Sequence, residues 1–338
     1  MGRLHDLLRS IDGLHADEAL DELCKLLLLK IVSETDDFDE AHLSGAMFEP
    51  SRLSISALAR VVPIIATVDL VPGHDLTGEL FQAMIAPATR QGMGQYFTPM
   101  PIVQLATTII AAKGNERVVD PFCGSGQFLV SARRALGAGA RDVAFLGVEK
   151  SARMVRIAVT DALLSGLPPS AIVHGDSIFP DETLRVRFDG QFDCLLTNPP
   201  FGAVLDFGYH DESDLTLRSG NSTPLEIAGL ERSVKLLRPG GRMAIVVPDA
   251  ILDGRRTVFV REWMHEQLEL VCVIGLPDQT FAEHGALQKT SLVCAQRRPN
   301  GKRRDRRVFL AELADVTDAA LSTITSNLAR FIAEEPWS

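Results

Sequence analysis

Apolar residues in the first 33 positions recur at helical spacing: Leu4, Leu7, Leu8 and Ile11, then Leu20, Leu23, Cys24, Leu27 and Ile31. That period predicts two helices, with Asp12-Gly13 as the break between them. Residues 56–66, and a stretch from about 76 to 86, repeat the pattern. Residues 1–90 therefore read as an N-terminal helical domain with no catalytic constellation of its own. Its leucine-rich faces are too apolar for a free surface and suit packing against another protein or a second copy of the chain.

The pattern changes near residue 117. Segments 117–122, 143–149, 171–176, 192–198, 242–247, 270–276 and 290–295 are short, apolar runs that read as strands. Amphipathic helices lie between them, near 127–135, 152–165, 225–237 and 255–267. Strands buried on both faces and alternating with helices predict an α/β fold, doubly wound around a seven-stranded, mostly parallel sheet. This unit spans residues 91–298. Residues 299–338 hold a basic turn, a short strand at 308–310 and a C-terminal helix. Arg297, Arg298, Lys302, Arg303, Arg304, Arg306 and Arg307 crowd that turn. It is either a solvated hairpin tip or a patch that contacts phosphates.

Composition narrows the class. With 46% hydrophobic and 23% charged positions the chain folds rather than staying disordered. Five cysteines, with no CxxC pair, read as reduced thiols of a cytoplasmic protein, without metal-ligand spacing. No apolar run approaches the roughly 20 residues of a membrane span, and the first residues lack the apolar core of an export signal. Acidic residues outnumber basic ones by 44 to 34, a net charge of −10. That argues against a molecule whose whole surface grips nucleic acid through phosphates.

Four segments carry chemistry. Val118-Val119-Asp120-Pro121-Phe122-Cys123-Gly124-Ser125-Gly126 puts a carboxylate at a strand end, then a Gly-rich turn into a helix. Open α/β sheets bind nucleotide-like ligands at such a switch point. Leu129 stands where a dinucleotide fingerprint would place its third glycine, so a pyrophosphate fits less well than an ammonium beside Asp120. Glu149, ending the next strand, can take both hydroxyls of a ribose. Asp176, in His174-Gly175-Asp176-Ser177, can accept from the exocyclic amine of an adenine. Together the three match the ammonium, ribose and adenine of S-adenosylmethionine. The fourth strand runs into Asn198-Pro199-Pro200-Phe201-Gly202. Consecutive prolines stiffen this turn, and a fixed amide, a carbonyl and an aromatic ring suit a planar group bearing –NH2.

In this order the segments resemble the class I S-adenosylmethionine-dependent N6-adenine DNA methyltransferases, and most closely the modification subunit of type I restriction–modification systems. Gly94-Gln95-Tyr96-Phe97-Thr98-Pro99 is similar to that family's N-terminal cofactor motif, and its place before the first strand matches the gamma arrangement. Residues 21–30, 237–248, 273–277 and 289–293 resemble further parts of that subunit, so the likeness runs from about residue 20 to 312.

The resemblance implies a Rossmann-like methyltransferase fold. It implies S-adenosylmethionine bound by Gln95, Tyr96, Phe97, Thr98, Pro99, Asp120, Pro121, Gly124, Ser125, Gly126, Glu149, Lys150, Asp176 and Ser177. Asn198, Pro199, Pro200 and Phe201 are then catalytic, acting without metal on a flipped-out adenine. The Asn198 oxygen and Pro199 carbonyl accept the N6 hydrogens, and Phe201 stacks on the base. Expected partners are double-stranded DNA, a separate specificity subunit and an endonuclease subunit, with two copies of the chain per complex and no membrane. Two alternatives stay open: methylation of protein glutamine or RNA, and a non-catalytic assembly subunit that keeps the fold.

Overall fold

The computed structural model describes residues 13–34, 49–67, 98–137, 143–206, 214–218, 222–278, 280–281, 288–299 and 306–337. The helices expected before residue 12 and over 76–86 lie outside these residues. Helices α1 (Ala16–Glu34), α2 (Ile55–Ala66) and α3 (Met100–Ile110) precede the first strand. Next come β1 (Arg117–Asp120), α4 (Gln127–Leu136), β2 (Ala144–Glu149), α5 (Ala152–Leu164) and β3 (Ile172–His174). Helix α6 (Glu182–Phe188) leads to β4 (Phe192–Thr197), and a small hairpin follows, β5 (Val204–Asp206) with β6 (Ser222–Pro224). Then α7 (Leu225–Leu236), β7 (Leu237–Pro248), α8 (Asp249–Asp253), α9 (Val258–Gln267) and β8 (Leu268–Gly275) succeed one another. Strands β9 (Thr290–Arg297) and β10 (Phe309–Glu312) precede the last helix, α10 (Asp318–Glu334).

The main sheet runs in the order β10-β8-β9-β7-β4-β1-β2-β3. From β3 across to β7 all neighbours are parallel, β9 is antiparallel to both β7 and β8, and β10 is parallel to β8. The doubly wound, mostly parallel sheet is as expected, but it has eight strands among the described residues rather than seven. The short strand expected at 308–310 does not stand apart. Phe309 packs on Phe331 of α10 with ring centroids 5.7 Å apart, and Glu312 pairs with Lys289 at 2.7 Å. Parallel pairing of Phe309–Glu312 with Cys272–Gly275 docks β10 onto the edge of β8, and those contacts tie it to α10 and to the start of β9. The strand order reverses beside β1, which has β2 on one side and β4 on the other. Ligands of such sheets lie in the crevice outside the carboxyl ends at that point.

The leucine-rich face of α1 is used inside the chain. Leu20, Leu23 and Leu27 are fully buried in one core cluster with Ile157 and Val118. Each such side chain contributes roughly 1.5–3 kcal/mol on burial. Arg156 of α5 donates to Asp21 through Nε (2.6 Å) and Nη2 (2.9 Å), and both side chains are buried. This corrects the expectation of a face kept for another protein: the apolar stripe meets α5, and the bidentate ion pair fixes the register of the two helices.

The basic run is corrected in the same way. Arg297 Nη1 donates to the Leu237 carbonyl, buried Arg298 donates Nε to His265 O at 3.1 Å, and Arg306 pairs with Glu269 at 3.5 Å. Arg307 holds Glu334 and Glu335, each at 3.0 Å. Arg297, Arg298 and Arg306 serve the fold rather than a phosphate patch, and exposed Arg307 is held in surface ion pairs; Lys302, Arg303 and Arg304 lie outside the described residues. All five cysteines are buried free thiols. Among the described residues no helix is long and apolar enough to cross a membrane, and no His, Cys, Asp or Glu cluster could hold a metal.

Candidate functional site

β1 delivers Asp120 to the switch point, and the chain then turns through Gly124 (φ +52°) and Gly126 (φ +85°) into α4. Both glycines sit in the left-handed region, where any other side chain is strained.

Asp120 is completely buried. Its Oδ1 accepts from Thr197 Oγ1 at 2.6 Å and from the Phe122 amide at 3.1 Å. Its Oδ2 has no partner among the described residues. Burial pushes the carboxyl up to about 7; the bonds from Thr197 and Phe122 pull it down, and neighbouring Glu149 pushes it further up.

Glu149, also buried, accepts from the Gly124 amide on Oε2 (3.1 Å) and from the Ser151 amide on Oε1 (2.7 Å). It thereby ties the Gly-rich loop to the start of α5, which Ser151 caps by accepting from Met154 N. Burial outweighs these bonds and raises its pKa.

Asp176 follows β3. Its Oδ1 accepts from the Ile178 and Phe179 amides (2.9 and 3.2 Å), and its Oδ2 pairs with exposed Lys150 at 2.7 Å. Ser177 beside it is buried.

Asn198-Pro199-Pro200-Phe201 leaves the end of β4 directly. Asn198 and Pro200 are half-buried and Pro199 is buried. Phe201 is 6% exposed and meets Phe281 edge-on, with centroids 6.3 Å apart and planes at 85°. Stacking on a flipped base requires that ring to turn out of this contact.

An open cleft gathers Thr98, Asp120, Gly124, Ser125 and Asn198. Pro121 and Gly126 adjoin it in the chain, and Glu149 reaches it only through its bond from the lining Gly124 amide, whereas Lys150, Asp176 and Ser177 stand at the strand ends and do not line it. Pro99 caps α3, and Gln95, Tyr96 and Phe97 lie outside the described residues.

Sequence reasoning passed over several residues. Phe122, Cys123, Gln127, Phe128 and Met154 also line the cleft. Thr197 could have been found from its place just before Asn198, and Met154 from the first turn after Glu149. Gly229 of α7 carried no such signal. A Cβ there would lie 2.8 Å from Pro199 Cβ, so the glycine lets α7 press against the proline turn.

Two buried carboxylates, one with an oxygen lacking a partner, stand together with no ion pair to either among the described residues. Such a donor set fits a cationic ligand that also carries hydroxyls. S-adenosylmethionine, with an ammonium and a ribose, is of that kind.

Known proteins are similar to this chain. The methylase subunit of the type I restriction enzyme StySPI of Salmonella potsdam is 26% identical over 275 residues, covering 73% of this chain and 51% of that protein. The EcoKI methylase subunit of Escherichia coli K12 is 25% identical over 277 residues, with the same coverage of 73% and 51%. The chain thus spans about half the length of the curated relatives it matches. Among solved structures, the methyltransferase subunit of a Streptococcus thermophilus type I restriction-modification system superposes with a TM-score of 0.69 at 22% identity, covering 82% of this chain and 62% of that one. A Listeria monocytogenes protein assigned to the class I S-adenosylmethionine-dependent methyltransferases gives 0.73 at 18% identity, covering 97% and 95%. These likenesses carry the fold. The N-6 DNA Methylase family model matches residues 74–322, and the chain belongs to that family.

Proposed function

We propose that this chain transfers a methyl group from S-adenosylmethionine to N6 of an adenine flipped out of DNA, as the modification subunit of a restriction–modification or related defence system. The observation that carries the reading is the shared cleft. Asn198, at the end of β4, opens onto the same space as buried Asp120, whose Oδ2 has no partner among the described residues.

When bound, S-adenosylmethionine supplies an electrophilic methyl on a sulfonium. Asp120 takes the ammonium, Glu149 the ribose hydroxyls and Asp176 the adenine amine. Gly124, Ser125 and Gly126 allow close backbone approach, and Thr98, just ahead of α3, lines the cleft; Gln95, Tyr96, Phe97 and Pro99 are assigned to the cofactor by the motif they share with Thr98. The target N6 is a poor nucleophile because its lone pair is delocalised into the ring. The Asn198 side-chain oxygen and the Pro199 carbonyl accept its two hydrogens and draw the nitrogen towards tetrahedral geometry. Pro199 and Pro200 hold those acceptors rigid, so little reorganisation is needed as charge develops. The chain's residues orient and polarise, with no covalent enzyme intermediate.

Partners follow from charge. A net charge of −10, with Arg297, Arg298 and Arg306 of the basic run bound into the fold and Arg307 held in surface ion pairs, supports weak, salt-sensitive DNA binding by the chain alone. Site recognition then falls to a separate specificity subunit, with two copies of this chain per complex, working in the cytoplasm. The test offers S-adenosylmethionine with unmethylated genomic DNA, RNA or ribosomal protein. Label entering DNA supports the proposal; label confined to RNA or protein overturns it.

A further inference from the structure

β7 lies beside β4 and parallel to it, with Ile245 opposite Thr197, so the chain leaving β7 at Pro248 emerges on the same rim of the sheet as Asn198. β8 runs the same way as β7, since both are antiparallel to β9. Helix α9 is therefore the return leg to the opposite rim, and the connection between Pro248 and Val258 lies on the rim of Asn198. That connection is α8 followed by a 3-10 turn over Arg255–Thr257.

The turn is held from within. Gly254 N donates to Ala250 O at 3.1 Å, and Thr257 Oγ1 donates to the same carbonyl at 2.6 Å. From α9, Arg261 Nη1 donates to Ile251 O (3.1 Å) and Gly254 O (2.8 Å). Ile251 is buried in one core cluster with Val247 of β7 and Ile227 of α7, which roots α8 in the sheet. A Cβ on Gly254 would collide with the Ala250 carbonyl, so this tight pass needs glycine.

Arg255 and Arg256 ride on that turn. Both are exposed, and among the described residues neither makes a hydrogen bond or an ion pair, not even with neighbouring Asp253 or Glu262. Arg156, Arg232, Arg242 and Arg306, by contrast, are buried in ion pairs. Two adjacent guanidinium groups without partners add nothing to the fold, yet a locked turn holds them on the rim where open sheets bind their ligands.

We propose that Arg255 and Arg256 contact backbone phosphates of the DNA beside the target adenine. This rests on the reading that the chain methylates DNA. A guanidinium fork matches the oxygens of a phosphate, and such contacts position a duplex without reading its sequence. On a chain of net charge −10, whose Arg297, Arg298 and Arg306 are bound into the fold, this pair supplies cations on the substrate rim.

The experiment measures binding of the full chain to two unmethylated duplexes of unrelated sequence by fluorescence anisotropy, from about 50 to 200 mM salt. Each phosphate contact contributes about 0.9 to the slope of log K against log salt. Arg255→Ala combined with Arg256→Ala should flatten the slope by about 1.8 on both duplexes, so that the affinity lost over this range is about tenfold smaller than in the wild type. Arg255→Lys combined with Arg256→Lys keeps the charges and most of the slope. Lys113→Ala, an exposed site ahead of β1 on the opposite rim, leaves the slope unchanged. S-adenosylmethionine affinity and kcat at saturating DNA stay near the wild-type values in every variant. An unchanged slope in the double alanine variant, an equal loss per charge in Lys113→Ala, or a parallel fall in cofactor affinity overturns the assignment. A wild-type chain that labels no DNA overturns the underlying reading instead, and is told apart before any variant is compared.

Discussion

Thr197 Oγ1 donates to Asp120 Oδ1 at 2.6 Å, so the last residue of β4 holds the carboxylate that ends β1. The residue before Asn198 therefore sets the orientation of the group assigned to the cofactor ammonium. Thr197→Val keeps the shape and removes the donor. A hydrogen bond to a charged group contributes about 1.5–3 kcal/mol, so affinity for S-adenosylmethionine should fall at least about tenfold. Isothermal calorimetry checks this; an unchanged dissociation constant would separate Thr197 from cofactor binding.

Binding should also depend on pH. Burial pushes the Asp120 carboxyl from 3.8 up to about 7, so the folded protein favours its protonated form. The contribution of this group to stability is full below the unfolded pKa near 4 and is lost as pH rises through about 7. Cofactor binding runs the other way, because an ammonium needs the carboxylate. Affinity should rise between about pH 5.5 and 7.5, by up to about tenfold per unit below the folded pKa. Asp120→Asn should flatten most of that slope, leaving the smaller part that belongs to Glu149, whose pKa is raised in the same direction. A wild-type profile that is flat over this range contradicts the assignment.

Gly229→Ala tests the support of the proline turn. The added Cβ would lie 2.8 Å from Pro199 Cβ and 3.4 Å from the Phe122 ring, so the turn must shift. Displacing a preorganised acceptor lowers kcat by about 10²-fold in comparable sites, with cofactor affinity much less affected. Steady-state kinetics with saturating DNA reads the split; a native kcat would mean that the turn tolerates the shift.

Much of the fold was legible in the sequence. Apolar runs such as residues 194–196 and 292–295 carry no polar side chain and read as strands buried on both sides. The candidate site residues stood out because Asp120 and Glu149 end such runs, Asp176 follows the next one, and two prolines mark the turn after Asn198. What pattern alone could not give was pairing at a distance. Asp21 and Arg156 lie 135 residues apart, and nothing in either helix's own spacing announces the bidentate contact that turns α1 inward. Arg306 reads as surface charge until buried Glu269 meets it from another element. Gly229 sits in an ordinary helix, and its role exists only once the proline turn folds back against it.

The central claim is that Asn198 polarises an adenine N6 beside a cofactor held by Asp120 and Glu149. Incubation of the wild-type chain and of Asn198→Ala with methyl-labelled S-adenosylmethionine and unmethylated DNA, followed by digestion to nucleosides and mass spectrometry, tests it most directly. The account predicts label on N6 of deoxyadenosine for the wild type, and loss of at least about 10²-fold in the variant, with cofactor affinity retained. Label on another atom, or a variant that methylates at the native rate, would contradict it.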